Sequence, residues 1–351
     1  MPEIVVIGAA IMDVLARPAD EAVFRTGSSP MEDICMSTGG DAFNEAVILA
    51  RMGKKVRLET VLGDDHAGRM IREMCMEEGI AVDPRQIRPE ISTGINVVLI
   101  KEGGERSFLT NANGSLRRLK IEDVRMPFPE GAKILSFASI FVFPEIDCRS
   151  LKKIFAQAKS QGMTVCADMT KRKHGETVED IKEALEYVDY ILPNEEEACL
   201  VTGKDTAEEA AERLLEAGVK NVVIKCGARG CLVRNRRECY RVMAKPGVRC
   251  IDTTGAGDSF AAGFIYALSE GRELRECAEY ANACGAMAVQ VLGATGWIQA
   301  GASDKPCEME DKQIWNIHMS SSCPMMISHL RCSSSKARTA TTSGRSTGIG
   351  R

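Results

Sequence analysis

Short apolar runs alternate with longer segments of helical periodicity over the first three quarters of the chain. The runs have the length of buried strands, about four to eight residues, and the segments between them carry apolar residues at every third or fourth position. This alternation predicts an α/β fold in which a mostly parallel sheet is covered by helices on both faces. The predicted strands are 4–7, 56–61, 132–137, 163–168, 188–192 and 219–226, and clear helical segments are 65–78, 148–161 and 207–216.

Two stretches interrupt the alternation, at 17–37 and 91–109. The second contains two β-rich runs separated by Gly103-Gly104, which is typical of a β-hairpin. We therefore expect a small β-sheet beside the main one. A ligand site is expected at the carboxyl ends of the main strands, where open α/β sheets bind their ligands.

The last fifty residues follow neither pattern. Residues 319–351 include five arginine or lysine residues and no acidic one, and they show no apolar periodicity. We expect 301–351 to be a disordered tail, because such a composition cannot offset the entropy lost on folding. No function is assigned to it.

Composition indicates small-molecule partners. Lys plus Arg number 45 and Asp plus Glu 49, with no basic stripe interleaved with aromatic residues, so a nucleic-acid partner is not expected. Apolar runs stay shorter than the ~18 residues that cross a bilayer, so no membrane association is expected.

The 14 cysteines include no C-x-x-C pair, and several lie in apolar patterns. Free thiols of this kind favour a reducing, cytoplasmic location.

The segment 252–260, D-T-T-G-A-G-D-S-F, carries the most chemical information. A helical apolar pattern follows it, so Gly255, Ala256 and Gly257 should present bare amides at the positive end of a buried helix, where phosphate binds. Asp258 adds a carboxylate one turn into that helix. Together they suit phosphoryl transfer, with the amides stabilising the transferred group and the carboxylate accepting a proton from the attacking hydroxyl. Helix capping alone requires neither the second glycine nor Asp258.

A second glycine-rich helix start lies at 39–53. Gly39 and Gly40 allow a sugar ring to approach the backbone, and Asn44 offers both a donor and an acceptor to hydroxyl groups. Taken alone, the segment is equally typical of an ordinary capped helix.

These two segments resemble the two signatures of the PfkB, or ribokinase-like, carbohydrate kinase family. Segment 252–260 matches D-T-x-G-A-G-D-x-F, and 39–53 matches G-G-x-x-x-N-x-A followed by L-A-x-L-G, with Met52 in place of the last Leu. The resemblance covers about 3–298. It implies a kinase domain at 1–300 with a Rossmann-like core.

The resemblance also implies a small β-sheet lid, formed by segments of about 11–38 and 91–111. It assigns Asp258 as the catalytic base and the 255–257 amides as an anion hole. On the sugar side it implies that Asp13 accepts hydrogen bonds from vicinal hydroxyls beside Gly39, Gly40 and Asn44. Lid residues that could read the distal end of the substrate are Asn96, Arg106 and Asn113.

Arg106 suits a carboxylate or phosphate group, because a guanidinium binds such groups with two parallel hydrogen bonds. A solvated hairpin arginine is an equally good interpretation. The sequence therefore leaves the role of Arg106 open.

On the nucleotide side, the resemblance implies that Asn194 and Glu197 form the family's N-x-x-E element, which orders Mg2+ and the triphosphate through water. Glu195 and Glu196 beside them are interpreted as partners of the helix dipole. The remaining expected nucleotide contacts are Lys225, which could instead be solvated, Gly227, Gly230 and Asn282. In many family members the residues corresponding to Asp252 and Thr254 help to hold a monovalent cation such as K+.

The expected function is an ATP-dependent, Mg2+-assisted sugar kinase, with sugar and ATP as its small-molecule partners. The family also suggests a homodimer formed through the lid. P-loop and protein-kinase motifs are absent from the sequence, since Gly203-Lys204 is followed by Asp205. Two alternatives stay open: a nucleoside kinase of the same fold, with Phe108 as the main lid aromatic for stacking, and a non-catalytic sugar-binding regulator.

Overall fold

A computed structural model describes residues 1–102 and 105–299 of the chain. The chain divides into two compact units, Met1–Cys307 and Glu308–Arg351, and the features below belong to the first. The expected hairpin turn at Gly103-Gly104 and the expected tail at 301–351 lie outside the described residues.

A nine-stranded sheet forms the centre of the first unit. Neighbouring strands are parallel, except at one edge of the sheet, where the last two pairs of strands are antiparallel. In spatial order they are β15 (Cys239–Val242), β14 (Cys231–Asn235), β13 (Asn221–Lys225), β12 (Tyr190–Ile191), β11 (Thr164–Met169), β10 (Ile134–Ile140), β1 (Ile4–Ile7), β4 (Val56–Glu59) and β6 (Ala81–Val82). A separate two-stranded pair is formed by β5 (Leu62–Gly63) and β7 (Ile87–Arg88).

Helices cover both faces of this sheet, as the sequence predicts. Successive residues of β1 belong alternately to two core clusters, since Val5 and Ile7 lie in one and Ile4 and Val6 in the other. The helices are α1 (Val23–Thr26), α2 (Asp41–Arg51), α3 (His66–Glu77), α4 (Cys148–Ser160), α5 (Val178–Leu185), α6 (Glu195–Thr202), α7 (Ala207–Glu216), α8 (Ala256–Ser269) and α9 (Leu274–Ala288). Apolar residues of α4, α5, α6 and α7 pack in the first cluster, and those of α2, α3, α8 and α9 in the second.

A four-stranded sheet stands apart from the large one. It contains, in spatial order, β3 (Asp33–Gly39), β2 (Ile11–Arg17), β8 (Ile95–Ile100) and β9 (Arg106–Thr110). The pairs β3–β2 and β8–β9 are antiparallel, whereas β2 and β8 are parallel. The fold is therefore the expected one, a mostly parallel sheet with helices on both faces and a smaller second sheet. We refer to the smaller sheet as the lid sheet.

Strand register separates the two faces of the lid sheet. Asp13 is paired with Asn96, and Asn96 with Thr110, so these three residues share one face. Arg106 and Phe108 lie on this same face, because they are four and two residues before Thr110 on β9. The opposite face is mostly apolar, and its exposed apolar residues are Ile34, Met36 and Leu109.

Within residues 1–102 and 105–299, no helix is both long enough and apolar enough to span a bilayer.

Candidate active site

The first turn of α8 lies beside the carboxyl end of β13, where the sequence places its anion hole. Gly255 caps the helix with φ 69°, and a Cβ at this position would come within 2.4 Å of the Ala294 side chain. A side chain at 255 is therefore excluded by both conformation and space. Around Gly257 there is room, since an added Cβ would meet only the Lys225 Nζ, 3.6 Å away. The helix start is thus backed by protein on one side and faces an ammonium group on another.

Asp258 and Asn44 bring the two glycine-rich segments into direct contact. The Asn44 side-chain amide donates a 2.7 Å hydrogen bond to the Asp258 carboxylate, across 214 positions of sequence. Desolvation raises the pKa of Asp258 to about 6, with a further rise from Asp41, while the Asn44 hydrogen bond and the charge of Lys225 oppose it. A carboxylate with this pKa is ionised at neutral pH yet basic enough to accept a proton. The other amide atom, Asn44 Oδ1, is buried without a hydrogen-bond partner among the described residues.

Asp13 lies in β2 of the lid sheet, next to Asn96 and Gly39. Its Oδ1 accepts a 3.0 Å hydrogen bond from Asn96 Nδ2, and Asn96 Oδ1 accepts one of 2.8 Å from Thr110. A Cβ on Gly39 would lie 2.2 Å from Asp13 Oδ2, so only glycine leaves room for this carboxylate. Burial raises the pKa of Asp13, although the Asn96 hydrogen bond and the charge of Arg106 lower it. Gly40 follows as the residue that caps α2.

Arg106 differs from the sequence interpretation. Its guanidinium does not stand free on the lid but binds the Asp252 carboxylate and the Thr254 hydroxyl, across the gap between the lid sheet and the loop before α8. Asn113 also differs, because its side chain is exposed and accepts a 3.4 Å hydrogen bond from Arg118. The structure therefore joins Arg106 to the anion-hole loop rather than to the Asp13 group.

Asp252 was expected, with Thr254, to hold a monovalent cation. Its Oδ1 accepts hydrogen bonds from the Thr254 amide (2.9 Å), the Thr254 hydroxyl (2.7 Å) and Arg106, and its Oδ2 accepts one from the Gly293 amide (3.0 Å). Burial raises its pKa, but these hydrogen bonds and the arginine outweigh burial, so the pKa lies below the ordinary value. Among the described residues, Oδ2 accepts only the hydrogen bond from the Gly293 amide and keeps a free lone pair, so a monovalent cation at Asp252 and Thr254 stays a prediction.

The nucleotide side begins where β13 ends. Lys225 is not solvated: its side chain is largely buried and its Nζ contacts the Asp168 carboxylate. Gly227 begins a single 3-10 turn after it, and Gly230 ends that turn before β14. These positions therefore lie together at the carboxyl end of β13.

Asn194 and Glu197 form a reciprocal capping box at the start of α6. The Glu197 amide donates to Asn194 Oδ1 at 2.9 Å, and the Asn194 amide donates to Glu197 Oε2 at 2.8 Å. Burial raises the pKa of Glu197, with Lys225 opposing this effect. The pair thus has a structural role in the cap, which fixes the Glu197 carboxylate near Lys225. Glu195 and Glu196 instead pair with Arg229 and Lys171.

Asn282 forms hydrogen bonds within the protein. Its buried side-chain amide donates to the Val242 carbonyl at 3.1 Å and lies near Cys231, which ties α9 to the β14–β15 hairpin. The expected contact with the adenine side of the nucleotide stays a prediction, because this internal hydrogen bond uses only the Nδ2 group.

Three acidic groups at the site were not singled out from the sequence. Asp41 Oδ1 accepts a 3.0 Å hydrogen bond from the Ala9 amide, Glu45 is fully buried on α2, and Asp168 is the penultimate residue of β11, beside Lys225. Desolvation raises the pKa of Glu45 to about 8 and that of Asp168 to about 7. An acidic residue at the end of a buried strand, as at Asp168, is the sequence signal that would have identified one of them.

The fold agrees with comparison to known proteins. The profile described as the pfkB family carbohydrate kinase matches residues 1–300, and the chain belongs to that family. It is therefore a sugar or nucleoside kinase of the PfkB type, a phosphotransferase class that acts on carbohydrates.

Individual relatives support the same placement. The chain is 28% identical over 263 residues to the ribokinase of Haemophilus influenzae, which covers 73% of this chain and 82% of the relative. Its fold is similar to the crystal structure of the ribokinase of Thermotoga maritima, with 26% identity, a TM-score of 0.71, and coverage of 86% of this chain and 98% of that one. The fold also resembles a putative ribokinase II from E. coli in complex with ATP and Mg2+, at 24% identity and a TM-score of 0.71, over 88% and 98% of the two chains.

Proposed function

We propose that this chain transfers the γ-phosphate of ATP to a hydroxyl group of a carbohydrate, with Asp258 as the base. The observation that carries the proposal is the hydrogen bond from Asn44 to Asp258, because it joins the helix of the sugar side to the helix of the anion hole. The base thus lies where a hydroxyl held by α2 and the lid sheet would meet a phosphate held by α8. The E. coli relative in complex with ATP and Mg2+ supports ATP as the phosphate donor.

The proposed reaction uses three sets of groups, which bind the sugar, accept its proton and stabilise the transferred phosphoryl group. The sugar hydroxyls bind Asp13 and Asn44, whose buried Oδ1 lacks a donor among the described residues. Asp258 removes the proton from the attacking hydroxyl as its oxygen bonds to the γ-phosphorus and the bond to ADP breaks. The amides at 255–257 and the Lys225 ammonium stabilise the negative charge on the transferred group.

Glu197 is the proposed residue for Mg2+. Its carboxylate is held by the capping box and acts on the Asp168 carboxylate beside it, and carboxylate oxygens are ligands that suit a hydrated Mg2+. When bound with the nucleotide, Mg2+ would neutralise phosphate charge.

The direct test is a panel assay on the purified full chain. We expect MgATP-dependent phosphorylation of one class among neutral sugars, sugar acids and nucleosides, and loss of it in Asp258→Asn. Sugar binding without turnover by the wild-type chain would instead identify a non-catalytic regulator.

A nucleoside substrate is the second candidate, and Phe108 is the observation that favours it. Phe108 shares the lid face of Asp13 and Arg106, although 59% of its surface is exposed. Stacking of a base on this ring would contribute about 1–3 kcal/mol, whereas a plain sugar would gain less. Phe108→Ala should therefore weaken a nucleoside by about tenfold or more and a sugar only slightly.

We further propose that two copies of the chain pair through the outer face of the lid sheet. Ile34, Met36 and Leu109 leave 64%, 57% and 54% of their surfaces exposed there, and burial of such a patch favours association. Light scattering should show a dimer for the wild type and a monomer for Met36→Glu. A wild-type monomer at micromolar concentration would contradict this assembly.

A further inference from the structure

Lys225 and Asp168 form a pair that bridges three strands of the large sheet. Lys225 ends β13 and Asp168 lies near the end of β11, with the two-residue strand β12 between them. The Lys225 amide also donates to the Pro193 carbonyl at 2.8 Å, just after β12. The pair therefore lies across the carboxyl end of β12, at the end of the strands where α8 begins.

The position of the lysine is defined at both ends of the contact. Asp168 Oδ1 accepts a 2.8 Å hydrogen bond from the Met169 amide, which orients the carboxylate, and Asp168 Oδ2 contacts Lys225 Nζ. Beyond it, the Nζ lies 3.6 Å from the point where a Cβ on Gly257 would be. Only 8% of the Asp168 surface is exposed, so its carboxylate interacts with neighbouring protein groups rather than with water.

We infer that Asp168 is a positioning residue, which holds the Lys225 ammonium against the first turn of α8 so that the ammonium contacts phosphate oxygens bound there. This inference rests on the proposed kinase function. It adds a residue outside both signature segments and gives Lys225 a defined place in the reaction.

The pKa of the Lys225 ammonium depends on the carboxylates that surround the pair. Lys225 faces Asp168 on β11, Glu197 on α6 and Asp258 on α8, and Asp168 also faces Glu45 on α2. Burial lowers the pKa of Lys225, but the carboxylates outweigh burial and raise it. Removal of the Asp168 charge leaves a buried ammonium with less compensation, and its pKa should fall.

The first test compares Asp168→Asn with Asp189→Asn. Asp189 is a matched control, because it too is 8% exposed and contacts lysines, Lys159 and Lys220, but away from α8. We expect Asp168→Asn to lower kcat by about 10- to 100-fold. The alkaline limb of the pH–rate profile should move down by about one pH unit or more, since Lys225 now loses its proton earlier. Asp189→Asn should move neither. An unshifted limb in Asp168→Asn, or equal shifts in both variants, would overturn the inference.

A second measurement separates this inference from the proposed function. Labelling of the full chain with acetic anhydride at a series of pH values, followed by mass spectrometry, reports the proton loss of Lys225 without any turnover, with Lys220 as the internal reference. Asp168→Asn should lower the labelling midpoint of Lys225 and leave that of Lys220 unchanged. A lowered midpoint in a chain that phosphorylates nothing would refute the function but retain the pairing, and an unchanged midpoint would refute the pairing.

Asp168→Ser gives the same comparison if Asp168→Asn does not fold. Serine retains an oxygen that can accept from the Met169 amide but carries no charge. Its Lys225 midpoint should fall as in the asparagine variant. Asp168→Glu, which keeps the charge, should restore the midpoint but not the full kcat, because the longer side chain moves the ammonium.

Discussion

Asp168, at the end of the sheet that forms the site, and Asp189, at the opposite end just before β12, are aspartates of similar exposure whose pKa values shift in opposite directions. Each is 8% exposed. At the site end, burial together with Glu197 raises the pKa of Asp168 to about 7, although Lys225 opposes them. At the other, burial is outweighed by hydrogen bonds from Lys159, Lys220 and the Val165 amide, and the pKa of Asp189 lies below its ordinary value.

The difference comes from the deeper position of Asp168 in the protein and from how many countercharges each carboxylate has. Asp189 has two lysines, at 2.6 Å and 2.7 Å, whereas Asp168 shares one lysine with Glu197 and Asp258. Folding stability favours the first arrangement. The second leaves negative charge in excess around one ammonium, which is the kind of perturbed cluster found at sites that bind or transform charged ligands.

The largest expected effect at the site end of the sheet is that of Asp258→Asn. Loss of the base should lower kcat by about 10^2- to 10^4-fold and leave ATP affinity within a few fold, since the anion hole stays intact. Steady-state kinetics and calorimetry with ATP measure the two effects. Glu270→Gln, at the other end of α8, is the control that should behave as wild type. Near-normal turnover by the asparagine variant would exclude Asp258 as the base.

Asp13→Ala tests the sugar side of the same end. A substrate hydroxyl would be left without its buried acceptor, which should weaken sugar binding by about 1–3 kcal/mol with little change for ATP. Titration calorimetry with each ligand gives both values. If ATP binding weakened and sugar binding did not, the two sides of the site would be reversed.

The comparison itself is tested by unfolding the two aspartate variants. Asp189→Asn should lower the free energy of unfolding by about 1–3 kcal/mol at pH 7, because two lysines lose their partner. Since the folded pKa of Asp189 is depressed, this contribution is present above its unfolded pKa and is lost as pH falls through the folded value.

For Asp168 the sign is the reverse, because its folded pKa is raised. Its ionisation costs stability as pH rises from the unfolded value, near 3.8, to about 7. Asp168→Asn should therefore cost less stability at pH 7 than Asp189→Asn. Urea titrations of both variants from pH 4 to pH 8 measure this, and equal losses with the same pH trend would remove the contrast.

Asn44→Ala should weaken sugar binding as Asp13→Ala does, and its effect on kcat at saturating sugar should be the smallest of this series. The Asn44 hydrogen bond lowers the pKa of Asp258, so without it that pKa rises above about 6. Because the base works only when ionised, the acid limb of the kcat profile should move to higher pH by a fraction of a unit. Asn96→Ala, which loses a hydrogen bond to Asp13 instead, should leave the limb in place.

Features set by local sequence were predicted well. The helix predicted at 207–216 has those bounds in the structure, since its apolar face and its threonine cap are written within eleven residues. The strand predicted at 188–192 is shorter, at Tyr190–Ile191, ahead of Pro193, which has no amide to donate. The site contacts that sequence reasoning missed join distant positions.

Arg106 and Asp252 illustrate this limit. They are 146 positions apart, and each had a plausible separate ligand when considered alone. Their contact depends on where the lid sheet rests over α8, and no local pattern encodes that distance. The same holds for Asn282, whose partner at Val242 becomes visible only once α9 packs on the hairpin.

Residues 293–298, which follow α9, determine when during its synthesis the protein could become active. Gly293 and Ala294 back the start of α8, Trp297 donates a 2.9 Å hydrogen bond to Ser259, and Arg51 binds the carbonyls of Thr295 and Ile298. A ribosome releases the proposed sugar-binding residues within the first fifty and the proposed base at 258, yet the segment behind the proposed anion hole emerges some forty residues later. Phosphotransfer would thus begin only when translation of the domain is almost complete, and a prematurely terminated chain would contain the base without a working enzyme.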